Sequence, residues 1–360
     1  MRRFFKGLVL ILIVLGAGGA IVWYTAGDRL IFALAKRMAS ENLAADRAAS
    51  LPDGLHLALC GAGGPMPDPL RSGPCHLVIA GKLSFMVDAG TMGARNILRM
   101  GFRNGNLDGI LLTHYHSDHI DGLGEAMMLR WTSGSRKEPV PVYGPPGLDM
   151  VLEGFNRAYA QDNQYRTAHH GADVMPPSGA GGIPMNFPEP QGEEGVVVFD
   201  REGVKITAFS VNHAPVHPAV GYRFDYKGRS LVISGDTGPT ATVEKFSAGV
   251  DLLAHEALST DLVAMLGGAA DGAGRANLGR VMHDIQDYHT TPVQAATIAA
   301  RAGVAHLVFT HITPPLPNRL LNRLFLQGVG DVFGGTVTVS RDGDLFSLPA
   351  AGGFSVEHLF

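Results

Sequence analysis

Short apolar runs that stop abruptly at polar residues recur along most of this chain. Ile110-Leu111-Leu112 ends at Thr113, Leu231-Val232-Ile233 at Ser234, and Ala305–Thr310 at His311. Val204–Ser210 runs into Val211-Asn212-His213, and Asp251–Ala254 leads into His255-Glu256-Ala257. Such runs predict buried strands. Helical signals are fewer. Pro292–Ala302 is the clearest, with Thr291 as N-cap, Pro292 at the first helical position and Gly303 at the stop. A second helix is expected over Leu148–Tyr159, after the strand that ends in Tyr143-Gly144. Thr336–Ser340 and Leu345–Leu348 flank Asp342-Gly343, the pattern of a hairpin. The Gly-rich Ala269–Gly279 stretch predicts a mobile loop. The class is α/β, and a hydrophobic content of 46% is enough for a two-sheet core.

The first fifty residues are different in kind. Met1–Lys6 is basic, and Gly7–Tyr24 is eighteen residues without a charge, the length of a membrane helix or of a signal-peptide core. Trp23 and Tyr24 fall where an aromatic belt would lie. No clean Ala-x-Ala site follows, so a retained anchor is favoured over a cleaved, secreted form. Leu30–Arg47 reads as an amphipathic helix. The expected organisation is an anchor or signal peptide over 1–27, a stalk over 28–51, a catalytic domain over 52–350 and a tail over 351–360. An anchored domain would face the periplasmic side. There a Cys60–Cys75 disulfide is permitted, although two buried free thiols are the preferred reading.

The chemistry concentrates in Thr113-His114-Tyr115-His116-Ser117-Asp118-His119, directly after a buried strand. Three imidazoles and a carboxylate within six residues are costly to fold around unless something binds them. On an extended loop His114 and His116 face the same way and can grip one ion; Asp118 and His119 follow and can hold a second. Nitrogen and carboxylate ligands without thiolate suit zinc, with manganese or iron as alternatives.

This signature resembles that of the metallo-β-lactamase-fold hydrolases, and the later runs fill the positions the family uses. The resemblance implies a four-layer αββα sandwich over about residues 52 to 350, here preceded by the N-terminal membrane helix. It assigns His114, His116 and His213 to one ion and Asp118, His119 and His311 to another, with Asp236 bridging. Glu256 and His289, the latter beside the N-terminus of Pro292–Ala302, resemble the proton-donating pair of the ribonuclease Z and arylsulfatase-like branch. His255 is expected behind the site rather than in it. The implied chemistry is ester hydrolysis by a hydroxide that two ions share, with Asp118 orienting the water and His289 protonating the leaving group.

The surface limits the substrate. Transfer-RNA-processing members of that branch carry a long basic arm after the Gly-Tyr motif. Here Arg223–Ile233 holds only a tight Lys227-Gly228 turn. The Gly/Pro-rich insertion at Gly171–Pro190 is acidic, with no Lys or Arg from Gly171 to Asp200. The whole chain has 29 basic and 33 acidic residues, net −4, so phosphate recognition by charge is disfavoured. The leading expectation is a small-molecule phosphodiester or sulfate ester. A ribonuclease Z-type endoribonuclease is the alternative, and a non-catalytic metal-binding scaffold the reading from another class. A homodimer is left open. Asp162, His169 and His170, at the end of a helix facing the acidic insertion, could line a substrate mouth, with a solvated loop as the preferred reading.

Overall fold

The computed structural model describes Trp23, residues 27–41, Leu43 and residues 46–360. It divides into two compact units, Met1–Arg47 and Ala48–Phe360. Apart from Trp23, the expected membrane segment Gly7–Tyr24 lies outside the described residues. Among the described residues no helix is long and apolar enough to cross a membrane. Residues 27–41 are helical, with Leu30, Ile31, Leu34 and Met38 exposed; the 3.6-residue period puts these four on one face.

The second unit holds two sheets. The first contains β1 (Gly54–Gly61), β2 (Cys75–Ala80), β3 (Leu83–Val87), β4 (Gly109–Leu111), β5 (Val140–Gly144) and β6 (Gly182–Asn186). The second contains β7 (Gly195–Arg201), β8 (Val204–Ser210), β9 (Val220–Tyr226), β10 (Arg229–Ile233), β11 (Leu252–Leu258), β12 (His306–Thr313) and β13 (Thr336–Val339). The chain then returns to the first sheet with β14 (Asp344–Pro349) and β15 (Ser355–His358). The spatial orders are β15-β14-β1-β2-β3-β4-β5-β6 and β13-β12-β11-β10-β9-β8-β7.

Period-two alternation sorts each strand's side chains between two cores. Leu55, Leu57 and Leu59 of β1, Phe85 and Val87 of β3, and Leu231 and Ile233 of β10 fill the space between the sheets. Ala58, Cys60 and Met86 point the other way, under helices Gly93–Arg99 and Leu123–Gly134. Val232 faces outward under helix Pro292–Ala302. Burial on both faces explains why these strands read as continuous apolar runs. The result is the expected four-layer α/β sandwich.

Several expectations need correction. Thr336–Ser340 and Leu345–Leu348 do not form a hairpin: β13 pairs with β12 and β14 with β1. Asp342 turns the chain from one sheet to the other because its carboxylate accepts from the backbone N–H groups of Ala62 and Ser72 and from Asn96 Nδ2. Ala269–Gly279 is no loop; it joins helices Thr260–Gly272 and Ala276–Asp284. The expected tail after residue 350 contributes β15, paired with β14. Helix Leu148–His170 runs well past Tyr159. Toward its C-terminal end it carries Asp162, half-buried, and His169 and His170, exposed, as helical residues rather than on a solvated loop.

Cys60 and Cys75 are not free thiols but a disulfide, with Cα atoms 5.0 Å apart. The pairing of β1 with β2 slips between Leu59 and Gly61, and the bulge brings Cys60 against Cys75 on the helix-covered face. The bond closes a sequence separation of 15 residues. Replacing both cysteines with alanine is expected to cost about 3 kcal/mol of unfolding free energy, read as a lower urea midpoint. A loss below about 1 kcal/mol would show that the closed loop contributes little.

Candidate metal centre

Most of the candidate ligands stand shortly after a buried strand or in a break within one, and Asp118 and His119 stand on a short helix. Beyond β4, Asp88 fixes the loop: its Oδ1 accepts the backbone N–H of Thr113 at 2.8 Å and its Oδ2 the Thr113 hydroxyl at 2.9 Å. His114 and His116 follow, His116 in extended backbone, and the short helix Ser117–Ile120 carries Asp118 and His119. His213 is set by Asn212, whose N–H donates to Thr237 Oγ1. Asp236 follows β10. His311 lies within β12, at a bulge where Glu256 pairs with Thr310 and Ala257 with Ile312. Its φ is +46°, a conformation a non-glycine residue adopts only where its surroundings enforce it. The bulge turns the imidazole into the site, where an unbroken strand would alternate it away.

The seven sequence-predicted ligands converge into two adjoining groups. In the first, His114 Nε2 lies 3.0 Å from His116 Nδ1, and His213 Nε2 lies 3.4 Å from the same atom. Asp236 Oδ2 is 4.0 Å from His114 Nε2 and 3.9 Å from His213 Nε2. In the second, Asp118 Oδ2 lies 3.3 Å from His311 Nε2 and 3.7 Å from His119 Nε2. Asp236 Oδ2 reaches this group too, at 3.2 Å from His311 Nε2 and 3.4 Å from His119 Nε2. One carboxylate oxygen, Asp236 Oδ2, therefore faces both groups.

The donor chemistry fits divalent metal. His119 Nε2 and Asp236 Oδ1 are buried with no hydrogen-bond partner in the protein, and an uncompensated buried polar atom is costly. Nitrogen–nitrogen approaches of 3.0–3.4 Å between imidazoles are the separations of neighbouring ligands around an ion bound at about 2.0–2.1 Å. Burial pushes the imidazoles of His114, His116 and His213 down, His213 to about 4, so they offer neutral lone pairs. Burial would raise Asp236, but the imidazoles of His311 and His119 overcome it and hold the carboxyl well below its usual range. His114, His116, His213 and Asp236 would hold one ion; Asp118, His119, His311 and the same Asp236 would hold the other.

Glu256 and His289 meet beside the metal ligands. His289 Nδ1 lies 3.0 Å from Glu256 Oε1, which also accepts the backbone N–H groups of Thr290 at 3.0 Å and Thr237 at 3.2 Å. Burial alone would lower His289; the charge of Glu256 and this hydrogen bond outweigh it and raise the imidazole to about 9. With Nδ1 engaged, Nε2 is the nitrogen left to face a substrate. His255, by contrast, is buried with its Nδ1 2.7 Å from the carbonyl of Glu256 and belongs to the strand behind the site.

Two functional residues escaped the sequence reading. Asp88 Oδ2 lies 2.9 Å from His119 Nδ1, which fixes the imidazole with Nε2 toward the ion. Its only signal was a carboxylate at the end of an apolar run, Ser84–Val87. Tyr288 packs its ring 4.7 Å from both His213 and His289, and its carbonyl lies 3.2 Å from His213 Nδ1. Replacing Asp88 with alanine is expected to weaken binding of the His119-side ion about 10- to 100-fold, measured by chelator competition. Unchanged affinity for both ions would show that His119 needs no such partner.

Residues 85–312 match the model of the β-lactamase superfamily domain. Ribonuclease Z of Mycobacterium avium is 38% identical over 264 residues, covering 73% of this chain and 87% of that protein. The chain belongs to the β-lactamase superfamily, in its ribonuclease Z branch. Ribonuclease Z of Mycolicibacterium gilvum is 37% identical over the same share of this chain and 85% of its own. Among solved structures, human tRNase Z, short form, aligns with a TM-score of 0.56 at 22% identity, covering 82% of this chain and 99% of its own. The metallo-β-lactamase fold protein YhfI of Bacillus subtilis aligns at 0.58 and 20%, covering 82% and 100%. These two likenesses speak for the fold.

Proposed function

We propose that this protein hydrolyses phosphodiesters at a centre for two divalent cations. The observation that carries the reading is the His289–Glu256 pair, set within reach of Asp236 and His311. Bound cations there supply a water acidified toward neutral pH and positive charge for the phosphoryl oxygens. The oxygen of the attacking water bonds to phosphorus as the ester P–O bond breaks, and the proton it loses passes to solvent. His289 gives its Nε2 proton to the departing oxygen, and Glu256 steadies the imidazole through Nδ1. Asp118, on the open side of its group, orients the attacking water. The products are a phosphomonoester and an alcohol.

Two substrate readings divide on different observations. The relatives named Ribonuclease Z, at 36–38% identity, favour an endoribonuclease over the sulfate or small-ester substrates expected first. The chain's own surface favours a small phosphodiester: β9 and β10 are joined by the two-residue turn Lys227-Gly228, leaving no room for a tRNA-gripping arm. Zinc as the metal and a position outside the cytoplasm are parts of the same proposal, the second supported by the Cys60–Cys75 disulfide.

The test is turnover by zinc-loaded protein of methyl 4-nitrophenyl phosphate, 4-nitrophenyl sulfate and a precursor tRNA. Phosphodiester turnover with weak tRNA cleavage supports the small-substrate reading. Cleavage of the tRNA at its 3′ end well above the aryl diester would establish the endoribonuclease. Preference for the sulfate ester would overturn the phosphodiesterase reading.

A further inference from the structure

An apolar groove of about 700 Å³ lies between helices Thr260–Gly272 and Ala276–Asp284, the loop that follows Gly64, and the prolines that follow β12. Its size is that of a ligand pocket. Arg275 is the only charged residue lining it among the described residues. Met265, Leu266 and Leu278 stand exposed along it, more apolar surface than a solvated helix pair needs.

Each wall of the groove runs out of the metal centre. Gly64 sits so close to His311 that a Cβ there would lie 2.9 Å from the imidazole Cε1; Met66 is two residues on. Pro314 and Pro315 follow Thr313 at the end of the strand that carries His311. On the floor, Met66 and Met282 pack with Leu258, whose N–H donates to the carbonyl of Thr290, next to His289. The groove therefore adjoins the segments that carry His311 and His289, separated from His289 by the packed side chains of Met66, Met282 and Leu258.

We propose that this groove binds an apolar arm, alkyl or alkylaryl, carried on the leaving oxygen of the phosphodiester. The inference rests on the phosphodiesterase reading and names its substrate class. A lining of this kind desolvates hydrocarbon and offers almost nothing to a polyanion, which requires several cations along its backbone. The thioethers of Met66, Met265 and Met282 suit an arm of variable shape.

The test is a series of methyl 4-alkylphenyl phosphates, ethyl to octyl, in which the leaving phenol's acidity stays constant while the arm lengthens. The full zinc-loaded chain is expected to gain about two- to fourfold in kcat/KM per added methylene until the groove is filled. Met265→Asp and Ala269→Trp should flatten that rise, so that the octyl-to-ethyl ratio of kcat/KM falls toward one. Calorimetry of 4-ethylphenol against 4-octylphenol reads the same groove without turnover, and the longer phenol should bind at least tenfold tighter. A flat series with good turnover of the ethyl ester overturns the groove and leaves the phosphodiesterase standing. No turnover of any member sinks the phosphodiesterase reading instead, and the calorimetry then decides the groove: equal binding of the two phenols overturns it. If Met265→Asp converts a dimer to a monomer with an unchanged rate series, the groove is an interface between copies, and the proposal falls.

Discussion

Replacing Asp236 with alanine is expected to reduce bound metal from two ions per chain to one or fewer and to lower phosphodiester turnover on the order of 10³-fold. The expectation comes from the position of one atom. Asp236 Oδ2 lies within 3.2–4.0 Å of the nitrogens of His311, His119, His213 and His114, so it alone faces both groups. Without it the first group keeps three imidazoles and the second keeps two imidazoles and Asp118. Each set loses an anion, and the shared anion that lets two cations sit close together is gone. Asp236 is buried, so the variant leaves a small polar cavity rather than an open surface. Circular dichroism and elemental analysis on the same sample separate loss of metal from loss of fold. A folded variant that still holds two zinc ions would remove the bridging role.

The ligand set was legible because its residue types are costly to bury without a function and each follows a run that could only be a buried strand. That logic singles out His114, His116, Asp118 and His119 as candidates; His213, Asp236 and His311 come from the resemblance to the metallo-β-lactamase-fold hydrolases, the last with one error of context. The apolar run was read as ending there, whereas β12 continues to Thr313 through a bulge. Strand continuation depends on pairing with β11, which is a long-range property. Asp88 was illegible for a related reason: a single carboxylate after an apolar run acquires its role only when it meets His119, 31 residues away.

Elsewhere local pattern competed with tertiary contact and lost. Asp342-Gly343 has hairpin chemistry, yet Asp342 is engaged by Ala62, Ser72 and Asn96, and the strands on either side enter different sheets. The glycines of Ala269–Gly279 suggested a loop, yet the stretch forms parts of two helices that pack on each other. There a small residue allows close approach: a Cβ at Gly279 would lie 1.9 Å from Asp271 Oδ1. The disulfide was misjudged because it requires the bulge in β1, and a bulge has no composition signal.

Replacing His289 with alanine is expected to slow dialkyl phosphates by about 10²- to 10⁴-fold while changing methyl 4-nitrophenyl phosphate only a few-fold. An alkoxide must be protonated as it leaves; a nitrophenolate departs without help. His289 is placed for that task by Glu256, whose Oε1 is fixed by the N–H groups of Thr290 and Thr237 and so cannot swing away. The sign of the pH dependence follows from the raised imidazole. A pKa of about 9 leaves His289 protonated and competent at neutral pH, and the acid is lost as pH rises through that value. Bound cations lower the value and leave the sign unchanged. Dialkyl phosphate turnover should therefore fall on an alkaline limb that is absent from the nitrophenyl ester and from the alanine variant. Glu256→Gln should move that limb to lower pH, because the amide keeps the contact but removes the charge that holds the proton. Equal losses on both classes of ester, with the limb unmoved in Glu256→Gln, would leave His289 a packing residue against His213 and His311.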